Sequence, residues 1–194
     1  LGLIWKGKEM KGSHRLFVMI PTLLLAASTC AAGPVTFSKP GLITSIGQSS
    51  DIAVIKVLLN NKMKLGLDAK PLAQVADLAN IKSLILVVGA STKGLGAAGL
   101  NVDQETERAK TLMKAAKERG TQILVMHTGG EARRGKTTND LINLVVPEAE
   151  YVVVVAGGNK DKLFQSLAAK RGTPVMEVDT LAAAGKAVKA VFKE

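Results

Sequence analysis

The sequence predicts an α/β protein: a three-layer α/β/α sandwich around a mostly parallel sheet of five to six strands, Rossmann-like or flavodoxin-like. Three observations predict it. Apolar runs of strand length alternate with helical patterns along most of the chain. Runs such as Ser83–Gly89 (SLILVVG) and Tyr151–Gly157 (YVVVVAG) are apolar on both alternating faces, as strands covered on both sides must be. Hydrophobic residues make up 47% of the chain but aromatics only 3%, so the core must be packed from Leu, Val, Ile and Ala.

The elements follow in order. Gly41–Ile46 (GLITSI) reads as the first strand. The stretch SSDIAVIKVLLNNK reads as a helix that Ser49 or Ser50 can cap, with Ile52, Ile55 and Leu59 on one face. LGLDAK is a weak second strand, and PLAQVADLAN a short helical piece. Ser83–Gly89 is a strong buried strand, followed by a long glycine-rich loop. A helix then opens near Asp103 with acids in its first turn, turns Leu112, Ala115 and Ala116 inward, and closes at Arg119–Gly120. Thr121–His127 is the fourth strand. After its loop, Asn139 and Asp140 look like the cap of a helix that stops at Pro147. Tyr151–Gly157 is the fifth strand, and the helix after it has Asn159 or Asp161 as cap and ends at Gly172. TPVMEVD is a sixth strand, and Thr180 caps a terminal amphipathic helix.

The first residues read differently. Met10–Ala32 has a basic start, an apolar run (Leu16–Ala27) and a small-residue end, the layout of a secretory signal. Residues 1–32 are therefore expected to be upstream sequence and a cleavable signal peptide, 33–40 a lead-in, and 41–194 one domain. The expected location is periplasmic or secreted, with lipid anchoring at Cys30, the only cysteine, as the lesser alternative. No transmembrane span is expected after cleavage. Removing the four cations and one anion before Gly33 lowers the formal charge from +10 to +7, which favours a small anion or another anionic partner. Scarce aromatics argue against nucleic acid, which is gripped by base stacking. The sequence does not specify a cofactor or an oligomeric state.

In parallel sheets ligands bind beyond the carboxyl ends of the strands, so the loops there carry the candidates. After the first strand come Gln48 and Ser49. After the third come Ser91, Thr92, Lys93, Gly94 and Gly96, within a G-x-G-x-x-G pattern (Gly94, Gly96, Gly99) placed too far from the strand for a dinucleotide fingerprint. After the fourth come His127, Gly129, Gly130, Glu131, Arg133 and Arg134. The two arginines could fork onto a carboxylate or phosphate. A lone histidine without clustered ligands gives no metal site.

The fourth loop also contains Gly130–Thr137 (GEARRGKT), a match to the phosphate-cradling G-x-x-x-x-G-K-[ST] pattern. Against nucleotide binding stand Lys136 and Thr137, expected ahead of the helix, and the want of a magnesium-holding Asp nearer than Asp179.

ITSIGQSSDIAVIKVLL, LILVVGASTKGLGAAG, HTGGEARRG and GNKD together resemble a family of exported bacterial proteins known only as a domain of unknown function. The resemblance runs from Gly41 to about Val178, and the second and third stretches are its specific part. It implies a signal sequence and one small α/β domain, and no reaction. Typical members continue the arginine loop without Lys-Thr, so GKT is a local variant.

The leading expectation is a binding domain for a small anionic ligand, with Gly89–Gly99 cradling it, Lys93, Arg133 and Arg134 neutralising it, and His127 and Gln48 orienting it. The alternative is an enzyme using His127 and Glu131 as acid and base at the same edge. Lesser alternatives are P-loop-type nucleotide binding and a structural or assembly subunit.

Overall fold

The structure is a computed structural model that describes residues 1–2 and 35–193. The expected signal segment and Cys30 therefore lie outside the described residues, apart from Leu1 and Gly2. Six strands form one sheet in the order β2-β1-β3-β4-β5-β6, and every neighbouring pair is parallel. They are β1 (Gly41–Ile46), β2 (Asp68–Ala69), β3 (Ser83–Val88), β4 (Gln122–His127), β5 (Tyr151–Val155) and β6 (Val175–Val178). The order 2-1-3-4-5 is the flavodoxin-like doubly wound order, here extended by a sixth strand.

Both faces are covered, as the apolar strands required. Helix α1 (Asp51–Lys56), which continues as a π-helical turn to Lys62, and the last helix α6 (Leu181–Val191) cover one face through Ile52, Ile55, Leu59, Ala184 and Val188. Helices α3 (Val102–Glu118), α4 (Lys136–Val145) and α5 (Leu163–Ala168) cover the other, through residues such as Leu112, Ile142 and Phe164. Every residue of β3 is buried, so this strand is the centre of both cores. No helix among the described residues is long and apolar enough to cross a membrane.

Four expectations need correction. The glycine-rich stretch after β3 is not one long loop: Thr92–Ala97 forms a short helix, α2, whose N-cap Ser91 accepts a bond from Gly94 N (3.0 Å). That cap, with burial of Leu95, offsets the poor helix propensity of Gly94 and Gly96. Helix α4 begins at Lys136, three residues before the expected Asn139–Asp140 cap. Asn139 is engaged elsewhere, accepting from Arg134 Nε (2.7 Å), and Gly135 in extended backbone serves as N-cap. Neither Ser49 nor Ser50 caps α1 with its side chain. The second strand shrinks to two residues, because Asn60 binds the backbone of Leu67 through both its amide atoms (2.7 and 2.8 Å) and holds the chain before it.

The lead-in also does more than connect. Phe37 is fully buried, stacks on Phe192 with ring centroids 5.8 Å apart, and exchanges backbone bonds with Val191 and Lys193 (2.7 and 2.9 Å).

Candidate functional site

In this topology β1 sends its helix to one face and β3 to the other, so a ligand crevice belongs between their carboxyl ends. Here the protein fills it with its own backbone. Gly89 N donates to Ile46 O and Ser91 N to Gly47 O (both 2.8 Å), and Gln48 forms a β-bridge with Ala90. Gly94 of α2 rests on the Gln48 carbonyl so closely that a Cβ there would overlap it.

A buried ion pair locks this closure from the side. Glu105, 1% exposed, accepts from Gly47 N (2.7 Å), Gln48 Nε2 (3.1 Å) and Arg108 (2.7 and 2.8 Å). Arg108 also donates to Ala73 O (2.9 Å) and Ser45 O (2.5 Å). Gln48 is thus committed to Glu105 and Pro71 O, at a backbone φ of 55°. Ser49 is buried beside Gly89, and its hydroxyl has no hydrogen-bond partner among the described residues. Sequence reading missed Glu105 and Arg108, yet a signal was present. Counting back from Leu112 and Ala116 by helical spacing puts Glu105 and Ala109 on the apolar face of α3, where a carboxylate must find partners.

The open space lies one strand further on. A cleft of about 270 Å³ separates the β3–α2 connection from the β4–α4 connection. Thr92, Arg133, Gly135, Lys136 and Thr137 line it, together with Thr138. Thr138 Oγ1 accepts from Ala90 N (3.0 Å) and so ties α4 to the end of β3. The first helix-closing bond of α4 runs from Asn139 N to Gly135 O (2.8 Å), and Gly135 offers no side chain to cap the amides before it. Arg133 has no ion-pair partner among the described residues, and its stem folds over Gly129, where a Cβ would stand 2.5 Å from that of Arg133. Lys93 and Gly96 lie exposed on α2, and Gly130 begins the short turn Glu131–Arg133.

Arg134 is placed differently from its neighbour. It forms two bonds to Asp161 (3.1 and 2.9 Å), donates to Gly158 O (2.6 Å) and to Asn139, and lies over the Phe164 ring. It is a clamp between the β4 and β5 loops, and its hydrogen bond holds the Asp161 carboxyl below the usual carboxylate range. A second cleft of about 300 Å³ opens beside it, between Glu131, Lys136, Lys160 and Asp161. The charges there are matched: Lys160 pairs with Glu131 (2.5 Å) and Lys136 with Asp140 (2.7 Å).

His127 and Glu131 are not brought together. His127 is fully buried, with Nδ1 2.9 Å from Val88 O and its ring stacked on Phe164 at 5.5 Å. Its Nε2 has no hydrogen-bond partner among the described residues and lies under Gly158, where a Cβ would stand 2.8 Å away. Burial holds the imidazole below the ordinary histidine range. Glu131 is exposed on Lys160, which lowers its pKa.

The P-loop resemblance is also redrawn. Lys136 and Thr137 do stand in the first turn of a helix that follows a parallel strand, contrary to expectation. The strands flanking β4 lead into Gly89–Ala90 and Ala156–Gly157, so neither ends in a carboxylate of its own; the one beside Gly89 belongs to Asp51 of α1, whose Oδ2 is buried there. Asp179 follows β6, two strands from β4 and so about 10 Å across the sheet. The described residues contain no group of three or more His, Cys, Asp or Glu that could hold a metal ion.

A comparison with curated proteins found no match. Residues 38–192 match the model of a family described as "Domain of unknown function (DUF6305)", a span that takes in all six strands, and the chain belongs to that family.

Proposed function

We propose that this protein binds a small anionic ligand at the carboxyl edge of its sheet, in the cleft between the β3–α2 and β4–α4 connections. The observation that carries this reading is the open N-terminus of the ten-residue helix α4 facing that cleft beside Arg133, which is unpaired among the described residues. Backbone amides at a helix start and the positive end of its dipole favour an anion, and an unengaged guanidinium supplies the matching charge and a planar fork. The hydroxyls of Thr92 and Thr137 add neutral donors on two sides. Arg134 also lines the cleft but is already engaged by Asp161 and Gly158 O, so its part is to position the loop, and Gln48 holds the floor.

The test is thermal unfolding with inorganic phosphate, citrate and magnesium-ATP. A ligand at 100 times its dissociation constant stabilises the folded state by about 2.7 kcal/mol, a readily measured rise in Tm. Phosphate or citrate is expected to raise Tm, and Arg133→Ala to abolish the rise while leaving the ligand-free Tm within about 1 °C. Arg134→Ala is expected to lower the ligand-free Tm itself. If no anion moves Tm, or if Arg133→Ala responds as the parent does, the reading is wrong. A response confined to magnesium-ATP would favour the nucleotide alternative.

A further inference from the structure

The opposite edge of the sheet carries a third cavity, of about 610 Å³. Its rim holds Lys39, Lys64, Lys189 and Lys193, and its floor is apolar, built from Met63, Leu65 and Phe192. The four lysines come from three separate segments: the approach to β1, the end of the π-helical turn, and the end of α6. None of the four has an acidic partner among the described residues; Lys56, Lys62, Lys82, Lys93, Lys170 and Lys186 share that state, but only these four gather around one cavity, whereas Lys70, Lys117, Lys136, Lys160 and Lys162 are paired. Two helical segments end here, at Met63 and Phe192. Their C-terminal dipoles supply about one negative charge between them, too little to account for four cations.

The chemistry of the rim narrows the partner. Lysine is a mobile point charge, suited to anions that are not fixed in a plane; a site for one carboxylate or phosphate would favour the arginine fork. Clusters of four to eight cations next to apolar surface are the form that meets anionic lipid headgroups. We propose that the amino edge of the sheet is a docking surface for a bilayer containing anionic lipids, with the four lysines on headgroup phosphates and the cavity admitting the interfacial part of a lipid. This surface is independent of the carboxyl-edge cleft.

The experiment is co-sedimentation of the full chain with vesicles of phosphatidylcholine alone or with one third phosphatidylglycerol. Each lysine is expected to contribute about fivefold in partitioning onto the anionic vesicles. Replacing all four (K39Q, K64Q, K189Q, K193Q) should lower partitioning by roughly two to three orders of magnitude. On phosphatidylcholine the parent and this variant should behave alike. The apolar run Leu16–Ala27 is common to both and cancels in the comparison. The corresponding fourfold Arg variant keeps the charge and should partition as the parent does, which separates charge from loss of fold. Equal partitioning of the parent and the Gln variant onto anionic vesicles overturns the proposal. So does strong binding to a soluble polyanion such as heparin with no lysine-dependent binding to vesicles.

Discussion

Glu105 shows how one side chain can decide where a site is not. With Arg108 it brings a full ion pair into the interior, the two side chains being 1% and 7% exposed. Such a pair adds little net stability, but removing one partner strands the other charge in the core at a cost of about 3–5 kcal/mol. Glu105→Ala is therefore expected to lose that much in urea unfolding, while Glu105→Leu with Arg108→Met should recover most of it. A double variant as unstable as the single one would mean that the bonds to Gly47 and Gln48, and not the stranded charge, dominate. His127 behaves in the opposite sense, as a buried group kept neutral. Its folded pKa lies below the ordinary value of about 6.5, so the unfolded chain takes up the proton first as pH falls. Stability is full above about pH 6.5 and declines below it, by up to ~1.4 kcal/mol per pH unit until the folded pKa is reached. His127→Gln should flatten the dependence of unfolding free energy between pH 7 and 5. The carboxyl of Asp161, depressed by Arg134, is charged throughout that range; its contribution is lost only at lower pH, as the folded pKa is passed. An unchanged slope in the Gln variant would show that His127 is not the group responsible.

Among the elements, the strands were the most legible and the short helices the least. Strand identity rests on apolar runs that burial on both faces demands, and β3 and β5 obey it almost residue by residue. The start of α4 and the existence of α2 rest on who captures a few side chains. Thr138 goes to Ala90 across the fold, a choice invisible to local pattern, and Asn139 to Arg134 within the loop; the Ser91–Gly94 cap is local, but Gly94 and Gly96 disguise the helix it starts. The same limit applied to the candidate site. His127, Arg133 and Arg134 were rightly seen as neighbours of one loop, but their roles diverge because Phe164 and Asp161, from a helix and loop beyond the next strand, claim two of them. Helix α2 offers a compact check on this account. Gly94 packs on the Gln48 carbonyl, whereas nothing lies within 4 Å of a Cβ placed on Gly96. Gly96→Ala should stabilise by about 0.5–1 kcal/mol, because alanine loses less backbone entropy on entering a helix. Gly94→Ala, two residues away in the same helix, should destabilise by about 1–3 kcal/mol, because α2 must lift off β1's loop. Equal effects of the two substitutions in thermal unfolding would contradict the packing described.

For the molecule as a whole, the two edges of the sheet divide the chemistry. At the carboxyl edge most cations are engaged, by Asp140, Glu131, Asp161 and Glu177, which leaves Arg133 and Lys93 without acidic partners among the described residues. At the amino edge four lysines without acidic partners among the described residues line one cavity, so part of the excess positive charge seen in the composition is gathered there. Composition could register that excess but not its direction, because direction depends on which strand ends share an edge. The ends of the domain meet at this same amino edge. Phe37 and Phe192 close the lower core of the α1–α6 face, and the Phe37 backbone pairs with Val191 and Lys193 like a strand added to the helix end. The sequence reads Gly33–Pro40 as a lead-in, since two prolines and no periodicity mark it out, yet one buried aromatic makes it part of the fold. A chain begun at Gly33 should therefore melt as one cooperative unit, with a Tm close to that of the full protein. A chain begun at Ser38 lacks Phe37 and both backbone bonds, and loss of a buried phenylalanine side chain alone costs about 3–5 kcal/mol. Its Tm should fall by about 6–20 °C for a domain of this size, at about 2–4 °C per kcal/mol, and the basic rim around Lys39 and Lys193 should loosen with it. Equal melting of the two chains would show that the aromatic closure is a surface contact and that the domain proper begins only at β1.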